Sequence, residues 1–173
     1  MEAISEGTEG KKETLRCYRG LIAYRELCQR IDLMDEKIRD LRATMYSVHS
    51  ARMDGMPGRS GDRSSWQERI VAKVDDRQRQ LDALIEKEKE WYSFLIELLD
   101  SLTPDSSLIL EMRYLDQAPW VSVSDALFGE PDELDDGAEE RAMKKTFRRH
   151  AKALNELEKI WPDDVLMEDK GEA

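Results

Sequence analysis

Two cysteines, two histidines, nine glycines and five prolines in 173 residues leave little material for several kinds of protein. The cysteines, Cys17 and Cys28, stand eleven apart in a helical stretch. About 16 Å of helical rise separates them, so they cannot pair along a straight helix. They read as small buried hydrophobes in a reducing compartment. His49 and His150 lie far apart, and neither stands at zinc spacing from a cysteine. No glycine-rich phosphate loop occurs. The run Asp132, Glu133, Asp135, Asp136 lacks the ligand order and terminal Glu of a calcium loop. With no catalytic constellation, the chain is not expected to be an enzyme or to hold a cofactor or metal. No stretch of eighteen apolar residues exists, which excludes a helical membrane span. The first residues, MEAISEGTEGKKE, have no apolar signal core, so the cytoplasm is the expected location.

What the chain does have is charge, at 38% of residues, beside 40% apolar residues. That balance, with little Gly and Pro, predicts an all-α fold of long helices with charged outer faces. The net charge of −11 argues against a protein that simply coats nucleic acid. The charge is segregated, however. Residues 130–140 carry seven acids and no base, and residues 141–152 carry six bases and no acid. In the stretch RAMKKTFRRHAKALNELEKIW, 141–161, apolar residues recur at Met143, Phe147, His150, Leu154, Leu157 and Trp161. Steps of three and four mark one helix face. Arg141, Lys144, Lys145, Arg148, Arg149 and Lys152 cluster opposite that face. A helix with one buried and one positive side suits an anionic partner such as DNA or RNA. A solvated charged helix in an acidic protein fits the same pattern.

Residues 1–10 are polar and expected to be disordered. A heptad pattern follows, with Cys17, Tyr24, Ile31, Ile38 and Met45 at one position and Gly20, Leu27, Met34, Leu41 and Val48 at the other. This predicts a coiled-coil seam on a helix over about 13–51, some 55 Å long. The loop 53–65 breaks the pattern with glycine and proline. Ser65 and Glu68 match a capping box that opens the next helix. Its seam reads Ile70, Val74, Arg77, Leu81, Leu84, Glu88, Trp91, Leu95, Leu98 and Leu102, with Arg77 and Glu88 as polar breaks. Residues 11–102 are therefore expected to fold as an antiparallel helical hairpin, which buries little alone and should self-associate. Residues 103–161 form a second unit. Thr103-Pro104 starts a helix to about Leu115, with Leu108, Ile109, Met112 and Leu115 inward. A turn leads to a short helix, Trp120 to Phe128, ended by Gly129. The acidic loop 130–140 and the basic helix follow, and 162–173 is an acidic tail.

The residues Leu110-Glu111-Met112-Arg113-Tyr114-Leu115, then Trp120 and Val123, resemble the region-4 helix-turn-helix of bacterial sigma factors. Small phage and prophage transcriptional regulators of the ArpU/RinA type are similar, with an L-x-x-R-Y-L helix, then S-W-x-x-I-A, then a basic helix. The likeness is loose over the chain and closer over about 55 residues. It implies a helix-turn-helix unit whose core holds Leu110, Tyr114, Leu115, Trp120, Val123, Leu127, Phe147 and Leu154. It further implies that Arg141, Lys144, Lys145, Arg148, Arg149 and Lys152 lie on the helix that enters the major groove. Arg113 would belong to the scaffold helix. Ser124 stands where these proteins prefer alanine, and Gly129 comes one residue late. An acidic stretch of about ten residues replaces the usual turn of three or four.

The expected function is thus a phage-derived, DNA-binding transcriptional regulator in a bacterial host cell, self-associating through its hairpin. One alternative is an acidic protein-interaction module that binds or inhibits a nucleic-acid-binding host complex, such as RNA polymerase or a defence system. Another is a small packaging-type subunit that recognises DNA.

Overall fold

The computed structural model describes residues 15–50, 61–129 and 137–163. Among them are only helices and turns. Two long helices come first, α1 (Arg16–Ser50) and α2 (Gly61–Asp100). Neither contains a proline, and past its opening residue α2 contains no glycine. Then follow α3 (Pro104–Leu110), a π-helical turn (Glu111–Leu115), α4 (Trp120–Phe128) and α5 (Ala138–Ile160). The all-α expectation holds. The expected disorder at 1–10, the loop residues 53–60, the acidic segment 130–136 and the tail from 164 lie outside the described residues.

The chain divides into two compact units. One, Leu27–Lys89, consists of parts of α1 and α2. Its core is Ile38 with Ile70, Val74 and Leu81, flanked by half-buried Ile31, Met34, Leu41, Met45 and Ile85. The spacing 70, 74, 78, 81, 85 departs from the expected seam at two places, with Gln78 for Arg77 and Ile85 for Leu84. Arg77 is exposed and donates to Gln80 at 3.0 Å. Gln78 takes the half-buried position and accepts from Arg42 at 3.2 Å. A guanidinium keeps its hydration by turning out, whereas an amide loses less at a seam edge. A second correction is the start of α2. Residues 61–65 are already helical, so Ser65 lies inside the helix and does not cap it. Gly61 is the last breaker of the loop sequence, and nothing after it opposes a helix.

The other unit joins Met1–Glu26 to Glu90–Ala173. Cys17, Leu21 and Tyr24 from α1, Leu95 and Leu99 from α2, and Ile109, Leu110, Tyr114, Val123, Ala153, Leu154, Leu157 and Trp161 form its core. Leu99, at 1% exposure, takes the deep position expected for Leu98. Gly20, expected as a position of the coiled-coil seam, is a seat for an aromatic ring. A Cβ built there would stand 2.4 Å from Cζ2 of Trp161. That ring meets Phe94 edge-on at 5.7 Å, and Phe94 meets Trp91 at 5.5 Å.

Candidate nucleic-acid interface

Thr103 is the extended residue before α3, and Pro104 opens the helix. The hydroxyls of Ser106 and Thr103 donate to one carboxylate oxygen of Glu156 on α5, at 2.7 and 3.2 Å. These donors hold the Glu156 carboxyl below the usual carboxylate range. Two residues on, Glu158 accepts the backbone N–H of Cys17 at 2.9 Å and the Nε–H of Arg16 at 3.1 Å. Burial works against its ionised form, but the Cys17 and Arg16 donors outweigh it and the carboxyl is held low. Orphan N–H groups at a helix start need such acceptors. Glu156 and Glu158 therefore fasten the C-terminal half of α5 to the starts of α3 and α1. Burial also pushes the Cys17 thiol far above its ordinary value, which leaves it an inert core side chain.

At the expected L-x-x-R-Y-L segment the helix widens. Asp116 N–H reaches Glu111 O at 3.1 Å, five residues back, and Ala118 N–H reaches Met112 O at 2.8 Å. One extra residue in the turn shifts the inward phase. Leu108, which precedes that turn, is exposed at 38%, against expectation, while Ile109, Leu110 and Tyr114 are buried. Met112 and Leu115 are half-buried. Gln117 bends the chain at a positive φ of 55°. Arg113 closes the turn by donating to Ala118 O at 2.9 Å while lying over the Trp120 ring at 4.7 Å. Pro119 then precedes α4, which runs over Trp120–Phe128 as expected and ends at Gly129 with φ 78°. Val123 and Ser124 are its buried residues, and Leu127 is half-buried.

Helix α5 begins at Ala138, three residues before its basic segment. Ala138, Glu139 and Glu140 are thus helical, which shortens the expected acidic loop. Acids in a first turn are favoured by the N–H groups exposed there, which is why they join the helix. The buried face is Thr146, His150, Ala153, Leu154 and Leu157. Phe147 is not core: it is 39% exposed and lies edge-on against Trp120 at 5.0 Å. Thr146 takes the inner place and satisfies its hydroxyl on Ala142 O at 3.0 Å. His150 sits between Tyr114 and Trp120, bonded through Nε2 to the Tyr114 hydroxyl at 3.0 Å. It is the core histidine that its place on the apolar stripe suggests.

All six expected cations of α5 are exposed. They are not equally available. Lys144 pairs with Glu140 at 2.6 Å, Arg149 with Asp105 at 2.8 Å and Lys152 with Glu156 at 3.6 Å. Arg149 also lies over the Phe128 ring at 4.7 Å, and Lys145 lies 5.9 Å from the same ring. Arg148 has no ion pair or hydrogen bond among the described residues. The pairs of Lys144 and Lys152 follow from their spacing of four, whereas that of Arg149 could not be read from sequence, because Asp105 stands 44 positions away. Residues 138–149 span about 18 Å of helix, enough to cross a major groove about 12 Å wide. No group of three metal-ligating side chains converges among the described residues. No described helix is long and apolar enough to cross a membrane. No protein-family model, no curated protein and no solved structure matches the chain.

Proposed function

We propose that the chain is a DNA-binding transcriptional regulator of phage or prophage type, which reads DNA with the basic face of α5. The observation that carries this reading is that Arg141, Lys144, Lys145, Arg148, Arg149 and Lys152 are all exposed on a helix whose opposite face is buried. Trp120 and Tyr114 brace that helix from behind by packing against its His150. The helical seam of Ile38, Ile70, Val74 and Leu81, with half-buried apolar neighbours, supports its use as a coiled-coil arm for self-association. A cytoplasmic site of action fits this reading. One observation favours a second reading, an acidic module that binds a host protein: three of the six cations already hold carboxylates of the same chain.

Fluorescence anisotropy with mixed-sequence duplex DNA, titrated with salt, separates the two. Binding should weaken linearly on a log–log plot, with a slope near 0.9 per phosphate contact. Arg148→Glu, alone and with Arg149→Glu, should weaken binding by about tenfold or more and flatten the slope. Unchanged binding in both variants overturns the assigned surface. An absence of binding at low salt points to the acidic module.

A further inference from the structure

Arg148 and Arg149 are neighbours on the exposed face of α5, and the fold treats them in opposite ways. Arg148 makes no ion pair or hydrogen bond among the described residues. Arg149 is held by two other helices at once. It donates from Nη1 to Oδ2 of Asp105 on α3 at 2.8 Å, and its guanidinium lies over the ring of Phe128, the last residue of α4, at 4.7 Å. The Arg149 and Asp105 side chains stay 43% and 63% exposed, and an ion pair so open to water adds little to stability. Its larger consequence is order. A free arginine loses much rotamer freedom when it binds, whereas one already clamped between a carboxylate and a ring has less to lose. The Asp105 bond takes one of the five guanidinium N–H groups, so a fork of two remains to donate.

We propose that Arg149 reads a guanine in the major groove, that Asp105 is the residue that positions it, and that Arg148 is a phosphate contact. This rests on the DNA-binding function given above. Asp105 offsets the positive charge of Arg149, which weakens its pull on a phosphate but leaves its donors. A neutral base edge needs donors in a fixed direction rather than net charge. Guanine meets that need, because its O6 and N7 are two adjacent acceptors that a guanidinium fork reaches together. Adenine offers an acceptor beside a donor, thymine an acceptor beside a methyl group, and cytosine a donor, so none of them matches two parallel N–H groups. Arg148 is the opposite case, with undiminished charge and no partner to fix its direction, which is what a phosphate contact uses.

The test starts from a random-sequence duplex library, from which the full chain selects its preferred DNA. Fluorescence anisotropy then compares the selected duplex with copies in which 7-deazaguanine, which lacks the N7 acceptor, replaces guanine at one position at a time. At one position the replacement should weaken wild-type binding by about five- to a hundredfold. Arg149→Ala should bind the two duplexes equally at that position. Arg148→Ala should keep the penalty and lower the slope of the salt titration by about one contact. Asp105→Asn takes an acid off the DNA face. As a positioning residue, Asp105 should carry part of the guanine penalty with it. Tighter binding to every duplex with the penalty intact would show that it acts by charge alone, and would overturn its positioning role. All three side chains are exposed, so the variants should keep the wild-type circular dichroism spectrum. No guanine penalty in the wild type, or one that survives Arg149→Ala, overturns the inference, while salt-dependent binding leaves the function standing. A penalty lost in Arg148→Ala instead reverses the two roles and overturns it as well. No binding to any duplex overturns both the inference and the function.

Discussion

Among the described residues of the unit Leu27–Lys89 the only large side chain below 2% exposure is Ile38, and its core partners Ile70, Val74 and Leu81 stay 5 to 9% exposed. In the unit that contains α5, Leu21, Leu95, Leu99, Ile109, Leu110, Val123, Leu154 and Leu157 are all at 1% or less. Parts of the same two long helices contribute to both. The difference lies in what each unit adds to them. The first has one apolar line, and polar bonds such as Arg42 to Gln78 and Gln78 to Asp82 lie on its exposed surface. The second brings helices from several directions around one centre and fixes them with polar ties in the core, Tyr114 to His150 and Glu158 to the Cys17 N–H. Stability of the second should thus reside in close packing and specific bonds. Stability of the first should depend on what else covers its half-buried apolar side chains.

The largest effect should come from cutting a hole in the closed core. Leu157→Ala should cost about 3 to 4 kcal/mol, because Leu157 is fully enclosed and its neighbours cannot collapse onto the space. Ile38→Ala should cost less, about 2 kcal/mol, since the seam is shallow and can close on itself. Urea unfolding followed by tryptophan fluorescence gives both numbers. A larger loss for Ile38→Ala would reverse the ranking of the two units.

Overpacking probes the same contrast from the other side. Gly20→Ala places a methyl group 2.4 Å from Cζ2 of Trp161, whose ring is already boxed in by Phe94. We expect a loss of about 2 kcal/mol, with a changed near-ultraviolet circular dichroism signal from the displaced tryptophan. If Gly20→Ala is neutral, the Trp161 seat is looser than its 4% exposure implies.

Acid should weaken the two units unequally. Glu156 and Glu158 both have folded pKa values below the ordinary 4.5. For a depressed carboxylate the contribution is present above the unfolded value and is lost as pH falls through the folded one. Hydrogen exchange at the starts of α1 and α3 should therefore accelerate below about pH 4.5, ahead of exchange around Ile38. Glu156→Gln with Glu158→Gln should remove most of this acid dependence. Uniform loss of protection across both units would show that the two carboxylates are not the fasteners.

Much of the fold was legible because helix period and breakers are local signals. The limits of α4, the Thr103-Pro104 start and the buried stripe through His150, Leu154, Leu157 and Trp161 all follow from residue spacing. The misplaced residues are Leu108 and Phe147. Leu108 is exposed where an inward place was expected, while Tyr114 is buried as the resemblance implied. Phe147 yields its inner position to Thr146, since an aromatic ring can rest on Trp120 at the rim while a small residue passes the crowded centre. The basic face of α5 was equally plain as a pattern. Its neutralisation by Asp105 and its contact with Phe128 were not, because they depend on which helices come to lie beside it.

The smallest effect is expected at the edge of the apolar seam. Ile85 is half-buried, so Ile85→Ala removes little area from an isolated chain and should cost about 1 kcal/mol or less in dilute solution. If the seam also covers itself against a second copy, folding is linked to protein concentration, and the wild-type Tm should rise over about a hundredfold increase in concentration. Ile85→Ala should then lower Tm more at high concentration than at low, because it damages the dimer and the monomer together. Leu157→Ala should shift Tm by the same amount at both. A wild-type Tm that does not move with concentration would mean that the seam is satisfied within one chain. The marginal burial around Ile38 would then be the whole stability of that unit.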